Sequence, residues 1–329
     1  MSLRRSVAAA VAVATVSLAS AAWGSPWALK PGEFYSELSG SFFSAGTFYR
    51  NSDELRTAMG GTLEQRVVRS HNELGWKKRA SIWIDVPFVS RSWVSGPDDA
   101  TSTGLGDLDF GVRYGMHLGK APMALNLGWT APLGSNRRLF PGTGGEGGID
   151  GSSIPSLASV AGRDSSVFLS QGLQSLSASL DFAGTLGKRA YFTLAGGYRT
   201  RYLTIGARAT TDRYADFATG GASLGIWLSP NLLLTGIANG EWQVSQGESY
   251  DRISAPIAGD HGPELQSVNL LVGERVTYRI DDRMDVFAGT MHNPSGRNTL
   301  HADHFYCGIA WKQTALDRLA GALGGTKAH

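Results

Sequence analysis

Residues 104–132 read GLGDLDFGVRYGMHLGKAPMALNLGWTAP, and their alternation decides the fold. In the first half Leu108, Phe110, Val112, Tyr114 and Met116 alternate with Asp107, Asp109, Gly111, Arg113 and Gly115. In the second half Met123, Leu125, Leu127 and Trp129 alternate with Ala124, Asn126, Gly128 and Thr130. A period of two places the two sets on opposite faces of a sheet. One face is bulky and apolar. The other is charged, amide-bearing or very small. Two strands joined by a tight turn near 118–121 account for the stretch.

Working outward, the same pattern recurs along the chain. Ala80, Ile82, Ile84, Val86 and Phe88 are expected outward, with Trp83, Asp85, Pro87, Val89 and Arg91 inward. Leu176, Ala178, Leu180 and Phe182 oppose Ser175, Ser177, Ser179 and Asp181. Phe192, Leu194 and Tyr198 oppose Tyr191, Thr193 and Arg199. Leu224, Ile226 and Leu228 oppose Ser223 and Trp227. Val268, Leu270 and Val272 oppose Arg275, Thr277 and Arg279. Phe305, Cys307, Ile309 and Trp311 close the set. Val68, Leu74 and Trp76 share a parity against Arg69, His71 and Glu73, in the least regular strand. Pro87 has no N–H to donate, which points to a bulge beside it.

Twelve strands result. Their connections alternate between short, near 77–79, 118–121, 186–189, 229–231 and 281–283, and long, near 46–60, 94–104, 133–166, 203–214, 246–263 and 292–302. An even number of amphipathic strands with short and long connections in turn is the signature of an all-β, antiparallel, up-and-down transmembrane barrel. In lipid only helices and closed barrels satisfy every backbone group, and no run of 18 apolar residues follows the N-terminus. A soluble sandwich explains the alternation but not the unequal connections.

The N-terminus carries Arg4 and Arg5, an apolar run over 6–18 and small residues at 19–22. That is the layout of a secretory signal peptide, here 1–22. The barrel is then expected over 23–311 and a periplasmic tail over 312–329. In that tail Leu316, Leu319 and Leu323 have helical spacing while Gly324-Gly325 does not, so a short helix and a flexible tail both stand open. The expected location is a bacterial outer membrane, with lipid as the surrounding partner and closure as a monomer. Of 329 residues 43 are glycine, and charge is low, as a barrel with many turns and a crowded interior requires. A net charge of +2 without a basic block excludes nucleic-acid binding. Cys307 is the sole cysteine, so no internal disulfide forms.

The expected lumen lining is Trp83, Asp85, Arg91, Asp107, Asp109 and Arg113, then Asn126, Asp181, Arg199, Trp227, Arg275 and Arg279. Acids and bases are mixed there, which suits a self-neutralising network, a selective pore lining, or both. The indices of Asp85 with Arg113 and of Arg91 with Asp107 each sum to 198. A constant sum marks an antiparallel register, so both are expected as cross-strand charge pairs. No histidine has a serine two residues on. His301, Asp303 and His304 form only a chance polar cluster. The glycine-rich 142–151 lacks the Lys and Ser/Thr of a phosphate loop. No catalytic residue, cofactor or metal is expected.

The run Ile84-Asp85-Val86-Pro87-Phe88 followed by Gly104–Tyr114, GLGDLDFGVRY, resembles the outer-membrane β-barrels of the meta-pathway phenol-degradation or transporter family, distantly FadL-like. Val86, Pro87, Gly104, Leu105, Gly106, Asp107, Gly111, Arg113 and Tyr114 carry the likeness, which covers about 60–135. The resemblance implies a channel or transporter for passive uptake of small aromatic or hydrophobic solutes. The alternative is a structural or interaction barrel with a plugged lumen and exposed loops. The chain departs from FadL-type channels in having no room for an N-terminal plug domain, and from most such barrels in continuing past its last strand.

Overall fold

In a computed structural model the chain is described over 28–49, 56–94, 100–119, 121–133, 173–203, 216–245, 268–297 and 299–314. The expected signal peptide, nearly all of the loops 133–166, 203–214 and 246–263, and residues 315–329 of the expected tail lie outside these residues, while 312–314, expected in the tail, continue the last strand. Among the described residues there are thirteen strands: β1 Glu33–Tyr49, β2 Arg56–Lys77, β3 Ala80–Val94, β4 Ala100–Leu105, β5 Leu108–Leu118, β6 Ala121–Ala131 and β7 Leu173–Leu186. They continue with β8 Ala190–Leu203, β9 Phe217–Trp227, β10 Leu232–Gln243, β11 Val268–Arg279, β12 Met284–Arg297 and β13 Thr299–Thr314. Each pairs antiparallel with its neighbours, and β1 pairs with β13 from Glu33 opposite Thr314 to Tyr49 opposite Thr299. The sheet therefore closes on itself within one chain, and among the described residues only the short β4 is paired on a single side.

The short strands β4 and β5 both pair with β3 and fill a single position in the wall, so the barrel has twelve strands. The break between them is the bulge expected at Pro87, though it forms in the partner strand. Gly106 N–H donates to the Pro87 carbonyl at 2.9 Å. A Cβ on Gly106 would lie 2.9 Å from Val89 Cγ2 and 3.1 Å from Pro87 Cγ, so only glycine fits the crossing. The V-P and G-L-G-D parts of the sequence signature thus face one another across one bulge.

Several expected long loops are shorter than expected. Strands β1 and β2 pair as far as Tyr49 with Arg56, β4 occupies residues placed in the loop 94–104, and β12 meets β13 at 297–299. Alternation weakens there because both faces of a ribbon beyond the bilayer meet water. The short turns hold the left-handed glycines Gly119 (φ 62°) and Gly187 (φ 73°), a conformation that suits residues without a Cβ.

Burial is inverted relative to a soluble protein. Leu38, Val68, Ile84, Phe88, Leu127, Leu194, Leu224, Val276 and Ile309 are exposed, while Glu73, Asp85, Arg91, Arg113, Arg199 and Glu241 are buried. Cys307 lies on the exposed apolar face. The interior also has one apolar cluster, Ile237, Leu271 and Met291 with Tyr306 against it. Such an outer surface is at equilibrium only in hydrocarbon.

Candidate functional site: the barrel interior

The inner face is built by facing parity, and glycine sets how close large side chains come to the wall. Trp83 on β3 lies across Gly111 and Gly128, where added Cβ atoms would meet its Cζ2 at 2.7 and 3.2 Å. Tyr191 lies likewise over Gly225, Phe287 over Gly308 and Tyr306 over Gly289. Each ring covers backbone that a glycine leaves bare, the pairing that rescues glycine in a strand.

Around these rings runs a polar chain across five strands. Ser81 Oγ donates to Glu73 Oε1, and Arg113 Nη1 donates to Glu73 Oε2. Arg113 Nε donates to Asn126 Oδ1 at 2.8 Å, and Asn126 Nδ2 donates to Asp181 Oδ2 at 2.8 Å. Beside it the His71 ring nitrogen Nδ1 lies 3.0 Å from Asp85 Oδ1. Thr130 Oγ1 donates to Asp109, and Ser175 Oγ to Thr130 at 2.7 Å. Charge-assisted bonds of this kind are the strong class of hydrogen bond, and they stay strong where water is excluded.

The other charges expected in the lumen also have partners. Arg91 Nε donates to Gln65 Oε1 at 2.9 Å and lies within electrostatic reach of Asp107. Arg199 donates to Glu241 and lies over the Phe217 ring. Arg275 approaches Glu37 at 3.7 Å and sits 3.6 Å over the Phe287 ring. Arg279 approaches Asp285 at 3.5 Å and lies 4.8 Å over Trp227.

Two expectations need correction. Asp85 stands opposite Asp109, and Arg113 stands opposite Ser81, because residues paired across β3 and β5 sum to 194. Asp85 and Arg113 are therefore not a cross-strand pair. Arg91 stands opposite Ser102, and its approach to Asp107 comes from the length of its side chain rather than from register. Alternation fixes the index sum only to within an even number, so it assigned the faces but not the partners. Alternation within β2 and within β10 could have brought in Glu73 and Glu241, the partners that sequence reasoning left out of the lining. The His301, Asp303 and His304 cluster is split by the same alternation: His304 is buried against Phe43, while Asp303 is exposed beside His292.

Small residues line another part of the inner face. On β7 to β9, Ser177, Ser179, Ala195, Gly197, Thr219 and Gly221 occupy the inward parity, and Ser177 and Ala195 are exposed. At the opposite side, and at the end bearing the short turns, Ala28–Gly32 crosses the inner wall before β1 begins. A Cβ on Gly75 would lie 1.9 Å from the Lys30 carbonyl oxygen, and one on Gly115 would lie 3.1 Å from Ala28 Cβ.

Among solved structures, the chain is similar to the COG4313 outer membrane channel from Pseudomonas putida F1. The TM-score is 0.65 at 12% identity, covering 88% of this chain and 98% of that one. The fold is an outer-membrane β-barrel. The translocator domain of autotransporter NalP from Neisseria meningitidis aligns at TM-score 0.48 and 10% identity, over 84% of this chain and 88% of that one. NanC porin aligns at 0.45 and 8%, over 84% and 100%. No family model matches the sequence, and no curated protein matches it. At such identities the likeness is one of fold. The bacterial outer membrane is where a closed barrel with this apolar exterior resides.

Proposed function

We propose that this barrel is a passive channel or transporter for small solutes across the outer membrane. The observation that carries the reading is an inner face with small residues exposed on it, the hydroxyl-bearing Ser177 and the apolar Ala195 among them, inside a wall whose outer face is apolar. A barrel serving only as an anchor has no need of an open stretch of inner wall. The expected lining, from Trp83 and Asp85 to Arg275 and Arg279, supplies fixed dipoles and paired charges to a passing solute. Trp83, Tyr191 and Trp227 on the inner face support small aromatic or hydrophobic solutes, as does the resemblance carried by Val86-Pro87 and Gly104–Tyr114.

A second reading, a plugged barrel whose loops meet a partner, is favoured by the buried ion pairs and by Ala28–Gly32 against Gly75 and Gly115. Planar-bilayer recording of the purified barrel separates the two. Discrete conductance steps, with liposome swelling in small solutes, support the channel. A silent bilayer and no swelling refute it.

A further inference from the structure

The two sides of the interior are built differently. Arginine, glutamate and aromatic side chains occupy β1, β2, β3, β11 and β12: Glu37, Glu73, Trp83, Arg275 and Phe287 are all held by neighbours. Across the barrel, β7 to β9 present a run of hydroxyls, an alanine and glycines between Tyr191 and Arg199. Ala195 stands opposite Asp181 on one side and Gly221 on the other, so all three share the inner face. Two of the glycines have close neighbours, backbone at Gly197 and a side-chain end at Gly221. A Cβ on Gly197 would lie 2.8 Å from the Ala178 carbonyl oxygen and from Ser179 Cβ. One on Gly221 would lie 2.8 Å from Asn239 Oδ1. The recess is bounded on one side by the Arg199–Glu241 pair lying over Phe217, and on the other by Tyr191, whose hydroxyl is 3.4 Å from Thr235 Oγ1.

From this asymmetry we infer that the passage is off-centre, against the inner wall of β7, β8 and β9, and that side-chain volume at Ser177 and Ala195 sets the size of what passes. The inference rests on the channel reading above. A solute moving along this wall meets hydroxyls and bare backbone, with the charges of Asp181 and Arg199 beside them held by Asn126 and Glu241. The ion pairs on the far side act as filling that shapes the passage.

The test uses cysteine chemistry on the full mature chain in planar bilayers, in a Cys307→Ser background. Ala195→Cys places a thiol in the recess. Ser39→Cys places one on β1, on the inner face opposite Arg69 and Gly308 and six wall positions away. Neither change adds much volume, and heat-modifiable gel mobility reports folding. Each barrel is recorded before and after a bulky, water-soluble methanethiosulfonate reagent. The inference expects conductance of the Ala195→Cys barrel to fall to about half or less on modification, and that of Ser39→Cys to change by about a tenth or less. An equal or larger block at Ser39, or no block at Ala195, overturns it. If the Cys307→Ser parent itself conducts nothing, the channel reading is what fails.

Discussion

At the scale of single residues, the interior is stabilised by matched charges with little slack. The Arg113 guanidinium serves both Glu73 and Asn126, and it and Glu73 are shielded from water. Removing one partner of a buried pair strands the other and costs about 3–5 kcal/mol, whereas replacing both by apolar groups costs far less. Arg113→Met is therefore expected to lower the urea midpoint of the vesicle-inserted barrel strongly, and the double change Glu73→Leu/Arg113→Met to recover much of the loss. A double variant as unstable as the single one would mean the chain through Asn126 and Asp181 matters more than the pair. The lipid face has a contrary case. Glu274 is exposed on the outward parity of β11 between Val272 and Val276, and accepts a bond from Thr290 Oγ1 at 2.6 Å. A carboxylate among lipid tails is unfavourable, though less so than a cation, so Glu274→Leu should stabilise the barrel by about 1 kcal/mol in the same unfolding measurement. These single residues also mark how far sequence reading reaches. That Arg113, Asn126 and Asp181 share a face follows from alternation. That Glu73 bonds Arg113 does not, because it depends on how far β2 slides along its neighbours.

At the scale of the element, register is the quantity that alternation leaves free, and the bulge between β4 and β5 supplies it. Pro87 cannot donate to a ladder, so the facing strand steps aside by one residue there. The paired index sum accordingly changes from 194 between β3 and β5 to 193 between β3 and β4. Gly106 makes the step sterically feasible by letting its backbone lie against Val89 and Pro87. Gly106→Val is expected to slow folding into vesicles and to cost about 1–3 kcal/mol through overpacking, with refolding kinetics followed by gel mobility as the measurement. A neutral result would place the origin of the register elsewhere, in the turn at Leu118–Ala121. The same reasoning explains why loop boundaries were harder to read than strand cores. In the bilayer each residue meets either lipid or the interior, and the pattern is strict. Beyond it the ribbons at Tyr49, Ala100 and Arg297 carry no such constraint, and Thr101 and Thr103 pair with Ser92 and Ser90 without an apolar partner face.

At the scale of the whole molecule, the inverted distribution of polarity is the property from which membrane location follows, and Cys307 can report it. The residue lies on β13 between Phe305 and Ile309, both exposed, and opposite Ala288 and Gly40 on the outward parity. Among the described residues it is exposed. In water such a thiol would react readily with a hydrophilic maleimide. In hydrocarbon the hydrophilic reagent is excluded from the thiol. The folded barrel in vesicles is thus expected to resist labelling at Cys307, while the urea-unfolded chain labels fully, as read by mass spectrometry. A soluble sandwich of the same strands would bury the leucines of this face against a second sheet. Cys307 would then be protected in detergent-free buffer as well, and no vesicle would be needed to keep the chain folded. The two outcomes differ in one further measurement, the dependence of folding on lipid. Fast labelling of the vesicle-bound, folded chain would place this wall in water. That result would remove the physical basis for reading the apolar band as a lipid contact.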